Sequence, residues 1–174
     1  MTQIAYKIKE RIVITAKRLM FNLHSRDLKI TSICGYYLKT RLLGINNTIT
    51  IGSNCYINFP EVIMSGENNS IIIGDRCHIG PNCSFRLEGR NLRITIENGC
   101  SFNNSVHFCA QEENVCIHVG SDCMFSSNIS IRTSDSHPII DSISGQRINP
   151  PGSVTIDNHV WVAPDSKIMK GVHI

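Results

Sequence analysis

The chain has 174 residues, 41% of them hydrophobic and 18% charged, which is the balance of one globular domain with a core and excludes a disordered or fibrous chain. Its aromatic content of 6% points to a core of aliphatic and small side chains. No run of about 18 apolar residues occurs, so no membrane-spanning helix is expected, and the N-terminus lacks the apolar stretch and cleavage site of a signal peptide, so a cytoplasmic location is expected.

The net charge of +3 is unevenly placed. Residues 1–45 hold nine Lys or Arg against Glu10 and Asp27, whereas residues 46–174 hold eight basic and twelve acidic side chains. Ile4, Ile8, Ile12, Ala16, Leu19 and Leu23 recur at three- and four-residue spacing, which predicts an amphipathic helix over 3–23, with Lys7, Lys9, Arg11, Lys17 and Arg18 around it. Residues 1–45 are therefore read as an N-terminal basic helical segment. It caps the domain that follows or packs on a partner subunit; the alternative is peripheral contact with the inner face of a membrane. Nucleic-acid binding is not expected, because the basic residues sit on one helix without a recognisable motif or interleaved aromatics.

From residue 46 a six-residue unit repeats: an aliphatic residue, often followed by Gly, with a small residue four places on. It is clearest in ITIGSNCYI (49–57), IIIGDRCHIGPNCSF (71–85) and VGSDCMFSSNISI (119–131). The leading apolar residues fall into sets of three: Ile51, Ile57, Ile63; Ile73, Ile79, Phe85; Ile96, Phe102, Phe108; Val119, Phe125, Ile131; and Ile156, Val162, Ile168. Three short strands make one triangular coil of a parallel β-helix, and stacked coils turn the leading residues into interior ladders. The Gly after the leading residue suits a turn with an unusual backbone angle. Polar stretches such as Gly66-Glu67-Asn68-Asn69-Ser70 and Glu88-Gly89-Arg90-Asn91 are expected as turns between sets. The class is therefore all-β.

Eight cysteines occur, none in a CxxC pair or with zinc-finger spacing. Cys55, Cys77, Cys83, Cys100 and Cys123 each stand four residues after a leading residue, the small inward slot, where Cys acts as a small hydrophobe. No metal is expected.

Sets start 22, 23, 23 and then 37 residues apart. The excess is an insertion after Ile131, RTSDSHPIIDSISGQRINPPGS, placed at about 132–153; long loops in compact repeats are often functional. His137 stands in it before Pro138 and can accept a proton near neutral pH. The chain stops at Ile174, on the first residue of a further hexad; either a longer natural chain or a partner covering that coil end is expected.

IRTSDSHP, the loop to Ser153, and VTIDNHVWVAP, with Trp161 standing 24 positions after His137, resemble the hexapeptide-repeat acetyltransferases, particularly the galactoside, maltose and xenobiotic acetyltransferases and polysaccharide O-acetyltransferases. The resemblance covers about three quarters of the chain and implies that the coils over 46–174 are left-handed. It also implies an acyltransferase with acetyl-CoA as co-substrate and a saccharide acceptor, acting in surface-polysaccharide synthesis. His137 would be the general base, with direct attack of the acceptor hydroxyl and no acyl-enzyme. A backbone N–H would stabilise the oxyanion. The same resemblance places Trp161 beside the pantetheine arm, with Ala163 as a further cofactor-binding position. Asn103, Glu112 and Glu113 fall where acceptor-binding residues are expected. Ala163 and Pro164 replace a more usual Gly and Ser or Ala, and later coils would carry much of the CoA contact. Members are usually homotrimers, each site lying between two subunits. Two alternatives stay open: a non-catalytic or truncated scaffold, and a zinc enzyme similar to γ-class carbonic anhydrases, for which His78, His107 and His118 are available.

Overall fold

The computed structural model describes residues 28–30, 39–58 and 60–174. Every regular element among them is a β-strand, and every strand–strand ladder is parallel. The chain is a β-solenoid with three faces. The first face stacks β1 (Leu28–Ile30), β3 (Thr48–Ile51), β6 (Ser70–Ile73), β9 (Arg93–Ile96), β12 (Cys116–Val119) and β15 (Val154–Ile156). The second stacks β4 (Tyr56–Ile57), β7 (His78–Ile79), β10 (Ser101–Phe102), β13 (Met124–Phe125) and β16 (Trp161–Val162). The third stacks β2 (Lys39–Ile45), β5 (Glu61–Glu67), β8 (Ser84–Arg90), β11 (Val106–Glu113), β14 (Ile129–Arg132) and β17 (Lys167–Ile168).

The ladders follow the sequence period. Ile51, Ile73, Ile96, Val119 and Ile156 are successive partners on the first face, and Ile57, Ile79, Phe102, Phe125 and Val162 on the second. All ten are buried. Each such side chain removed from water contributes about 1.5–3 kcal/mol, so burial carries the coil. Phe85, Phe102, Phe108 and Phe125 form one interior cluster; Phe85 stacks on Phe108 at 5.0 Å and Phe102 on Phe125 at 4.7 Å between ring centroids. The five inward cysteines are buried, and Cys55, Cys77, Cys100 and Cys123 each donate a thiol hydrogen bond to a carbonyl of the next coil at 3.0–3.1 Å.

Four expectations are corrected. On the third face Val62, not Ile63, pairs with Phe85 and is buried, while Ile63 faces outward opposite Arg86. Five residues separate Ile57 from Val62 where six separate Ile79 from Phe85, and a one-residue slip reverses the facing of a strand. The polar stretches are largely strand: β5 runs through Gly66-Glu67 and β8 through Gly89-Arg90, leaving the turns at Asn68 and Asn91, both left-handed. The Gly after a leading residue is required by close stacking, since a Cβ on Gly52 would lie 2.6 Å from the Gly74 carbonyl carbon; the left-handed residue comes two places later, as at Asn54, Arg76 and Asp122. Finally, β1 and β2 lie within 1–45 and pair with β3 and β5, so two faces begin before residue 46. The helix expected over 3–23 lies outside the described residues.

Candidate functional site

The insertion begins where β14 ends. Thr133 is fully buried, and its hydroxyl replaces a rung of the ladder: it accepts from the Gln111 N–H at 2.9 Å and donates to the Gln111 carbonyl at 3.3 Å. At the return point the Ser153 hydroxyl accepts from the Cys116 N–H at 3.0 Å. Between these two hydroxyl contacts the chain forms a short antiparallel arm, with Ile140 paired to Arg147 and the Ile148 N–H donating to the Ile139 carbonyl at 2.9 Å. Asp141 closes its tip by accepting from the Ser144 N–H and hydroxyl.

His137 lies at the root of this arm. Its side chain is exposed and has no hydrogen-bond partner among the described residues, which leaves both ring nitrogens open to a substrate. Its backbone, by contrast, is fixed. The amide of Asn149, only 8% exposed, donates to the His137 carbonyl at 2.8 Å and to Asp135 at 2.9 Å. Its oxygen accepts from the Ile139 N–H at 2.5 Å and from Arg147 Nε at 3.2 Å. Two acceptors face the NH2 group and two donors face the oxygen, so only one orientation of the amide satisfies all four. Asn149 thus grips the chain on both sides of Pro138.

Around it lie two ion pairs. Arg147 meets both oxygens of Glu112, at 2.5 and 2.8 Å, and Lys170 Nζ lies 2.5 Å from Asp135. The Ser134 hydroxyl donates to the same Glu112 carboxylate. Arg147 and then the Ser134 hydroxyl hold the Glu112 carboxyl below its ordinary range; Lys170 and Asn149 do so for Asp135.

The residues singled out from the sequence fall into two groups. His137 and Glu112 share the network just described. Glu113 is next to it, exposed, with Arg90 at 3.4 Å. Asn103 and Ala163 stand at another corner, directly after their second-face rungs Phe102 and Val162. Trp161 lies on the outer side of the second face beside its register partner Met124, and the two are 64% and 57% exposed. Six residue rises along β11 separate Val106 from Glu112, about 20 Å, so within one chain the Asn103 corner and the Glu112 corner lie at opposite edges of the third face. Sequence reasoning assigned no role to Arg147, Asn149 or Lys170. Their partners stand 35, 12 and 35 residues away, and such pairings leave no periodic trace.

His78, His107 and His118 sit on the second, third and first faces respectively. Tyr56 packs edge-on against His78, Ser84 bonds His107 at 2.8 Å, and Glu97 lies 3.7 Å from His118. They do not converge within the chain, and among the described residues no group of three His, Cys, Asp or Glu is placed to hold a metal ion.

A parallel β-solenoid interrupted by one histidine-bearing loop is the architecture reached from the residues. Solved structures of O-acetyltransferases are its neighbours. The chain is 28% identical to the polysialic acid O-acetyltransferase OatWY, covering 79% of this chain and 73% of that one with a TM-score of 0.54. The polysialic-acid-specific acetyltransferase NeuO also aligns, at 21% identity over 86% of this chain and 72% of that one, with a TM-score of 0.36. No family model matches the chain, and no curated protein matches it.

Proposed function

We propose that the chain is an O-acetyltransferase that moves an acetyl group from acetyl-CoA to a saccharide hydroxyl, on a left-handed coil and with His137 as general base. The likeness to OatWY over most of both chains carries this reading. The exposed imidazole on a fixed backbone supports the role of His137. Acetyl-CoA supplies an activated thioester. His137 takes the proton from the acceptor hydroxyl as its oxygen attacks the thioester carbon, and returns that proton to the departing thiolate as the carbon–sulfur bond breaks.

The exposed apolar pair Trp161 and Met124 fits the pantetheine arm, with Ala163 next to it on the following corner. Asn103 and Glu113 are proposed for the acceptor. Because the Asn103 corner and the loop lie at opposite edges of one chain, a site holding both is completed by a second subunit, in a homotrimer. A role in surface-polysaccharide synthesis at the cytoplasmic side, with the basic stretch 3–23 on the membrane or on a partner, completes the proposal.

The test is release of CoA from acetyl-CoA in the presence of saccharide acceptors, with a sialic-acid polymer tried first. His137→Ala is expected to lower kcat by about 10²–10⁴-fold with an unchanged melting temperature. Turnover that survives His137→Ala would remove His137 from the chemistry, and absence of transfer to every saccharide would remove the transferase reading.

A further inference from the structure

At the turn out of the third face a column of residues with left-handed backbone runs up the solenoid: Gly44, Gly66, Gly89 and then Glu112, all in register. The glycines are obligatory. A Cβ on Gly44 would lie 1.9 Å from the Gly66 carbonyl oxygen, one on Gly66 1.9 Å from that of Gly89, and one on Gly89 1.8 Å from that of Glu112. Glu112 breaks the column. With φ of 78° it holds a conformation costly for any residue with a Cβ. It has room only because the chain above it has left the coil at Thr133. The side chain that stands in this gap does not point into an empty site: both oxygens are taken by Arg147, and one also by Ser134.

From Arg147 the contacts continue to Asn149 and from there to the carbonyl of His137. We infer that Glu112 is a positioning residue that clamps the loop to the coil through Arg147 and Asn149, and so sets where His137 stands, instead of binding the acceptor. This deepens the transferase reading and rests on it for the catalytic consequence, but the clamp itself is a property of the protein without substrate. Backbone strain at an otherwise glycine position persists because the ion pair holds it, and strain of this kind gathers at functional sites.

Glu112→Gly separates the two contributions, because glycine is the residue that the backbone there prefers. We expect its melting temperature to equal or exceed that of the parent, while amides of 135–149 exchange at least about tenfold faster in hydrogen–deuterium exchange of the full chain without substrate. Arg147→Met should give the same loop exchange, and the double variant should be no worse than Arg147→Met alone. In turnover, kcat should fall about 10- to 100-fold while the acceptor KM stays within about twofold, as for a misplaced base. Unchanged loop exchange in both single variants overturns the clamp. So does a raised acceptor KM with kcat intact, which is the behaviour of a direct acceptor ligand. If the parent transfers acetyl to no saccharide, the transferase reading fails by itself and the exchange data still decide the clamp.

Discussion

The coils and the loop that interrupts them are held by opposite means. In the coils, one aliphatic or aromatic rung after another is buried and the backbone bonds coil to coil; side chains at the corners repeat at each turn. In the loop the backbone pairs over only a few residues; the segment is attached to the coil by the hydroxyls of Thr133, Ser134, Ser136 and Ser153 and by two ion pairs, and the Asn149 amide ties its own strands together. Burial of apolar side chains does not change with pH, whereas ion pairs at a partly exposed site respond to pH and are screened by salt. The molecule therefore separates a stable frame from an adjustable segment, and the proposed base stands on the adjustable part. Coil variants should unfold the protein, and loop variants should leave it folded but displace His137.

The largest effect is expected within the glycine column. Gly66→Ala places a methyl group 1.9 Å from the Gly89 carbonyl oxygen at a φ of 108°, between two strands that cannot part without breaking their ladder. It should cost more than about 3 kcal/mol in urea unfolding, or prevent folding. Near-parental stability would mean that the coils spread easily, and the contrast with Glu112→Gly, one side chain added and the other taken away in the same column, would collapse.

A smaller and more local effect is expected at Asn149. Asn149→Ala leaves the His137 carbonyl, the Ile139 N–H and Arg147 Nε without their shared partner. Loop protection should drop by about 1–3 kcal/mol in exchange of residues 135–149. The free energy of global unfolding in urea should change by no more than about 0.5 kcal/mol. If the global free energy falls as far as the local one, loop and coil are one cooperative unit and the division above is wrong.

The two regions also differ in how far the sequence reveals them. A period of six puts like residues at like places, so the rungs from Ile51 to Ile168 could be read directly from their spacing. Ile63 is the exception, because the corner before it is one residue short and only the facing of Val62 and Met64 shows it. At the loop, His137 became a candidate through its setting before Pro138 and, by the family resemblance, its distance from Trp161, whereas the residues that hold its backbone carried no such mark. Contacts from Arg147 to Glu112 and from Lys170 to Asp135 join side chains across 35 residues by geometry alone. One signal was present and unread: Gly44, Gly66 and Gly89 recur at 22 and 23 residues, and the next place in that series is Glu112. A charged residue in a glycine column marks the point where the column is put to another use.

Acid should loosen the loop before it touches the coil, and this is the gentlest test of the division. The Glu112 carboxyl titrates below its ordinary 4.5 because Arg147 pairs with it, and Asp135 below its ordinary 3.8 because of Lys170. A group whose pKa is lower in the folded state adds stability that is complete above its unfolded value and is lost as pH falls through the folded one. The clamp should therefore be intact at neutral pH, begin to weaken below about pH 4.5, and go on weakening at lower pH. The coil interior is built from apolar side chains and thiols that carry no charge in that range. Methyl NMR of the isoleucines resolves the two regions: signals of Ile139, Ile140 and Ile148 should move on acidification while those of Ile51, Ile94 and Ile117 hold still. Added salt should shift the loop signals in the same direction, since both ion pairs are partly exposed. Glu112→Gln should remove the part of the titration belonging to Glu112 and leave the parts belonging to Asp135 and to Asp141, whose carboxyl Ser144 holds below its ordinary range. Coil and loop signals moving together would show that the frame shares the loop's electrostatics, and loop signals unmoved down to pH 3 would mean that hydroxyl and amide contacts hold the loop without its ion pairs.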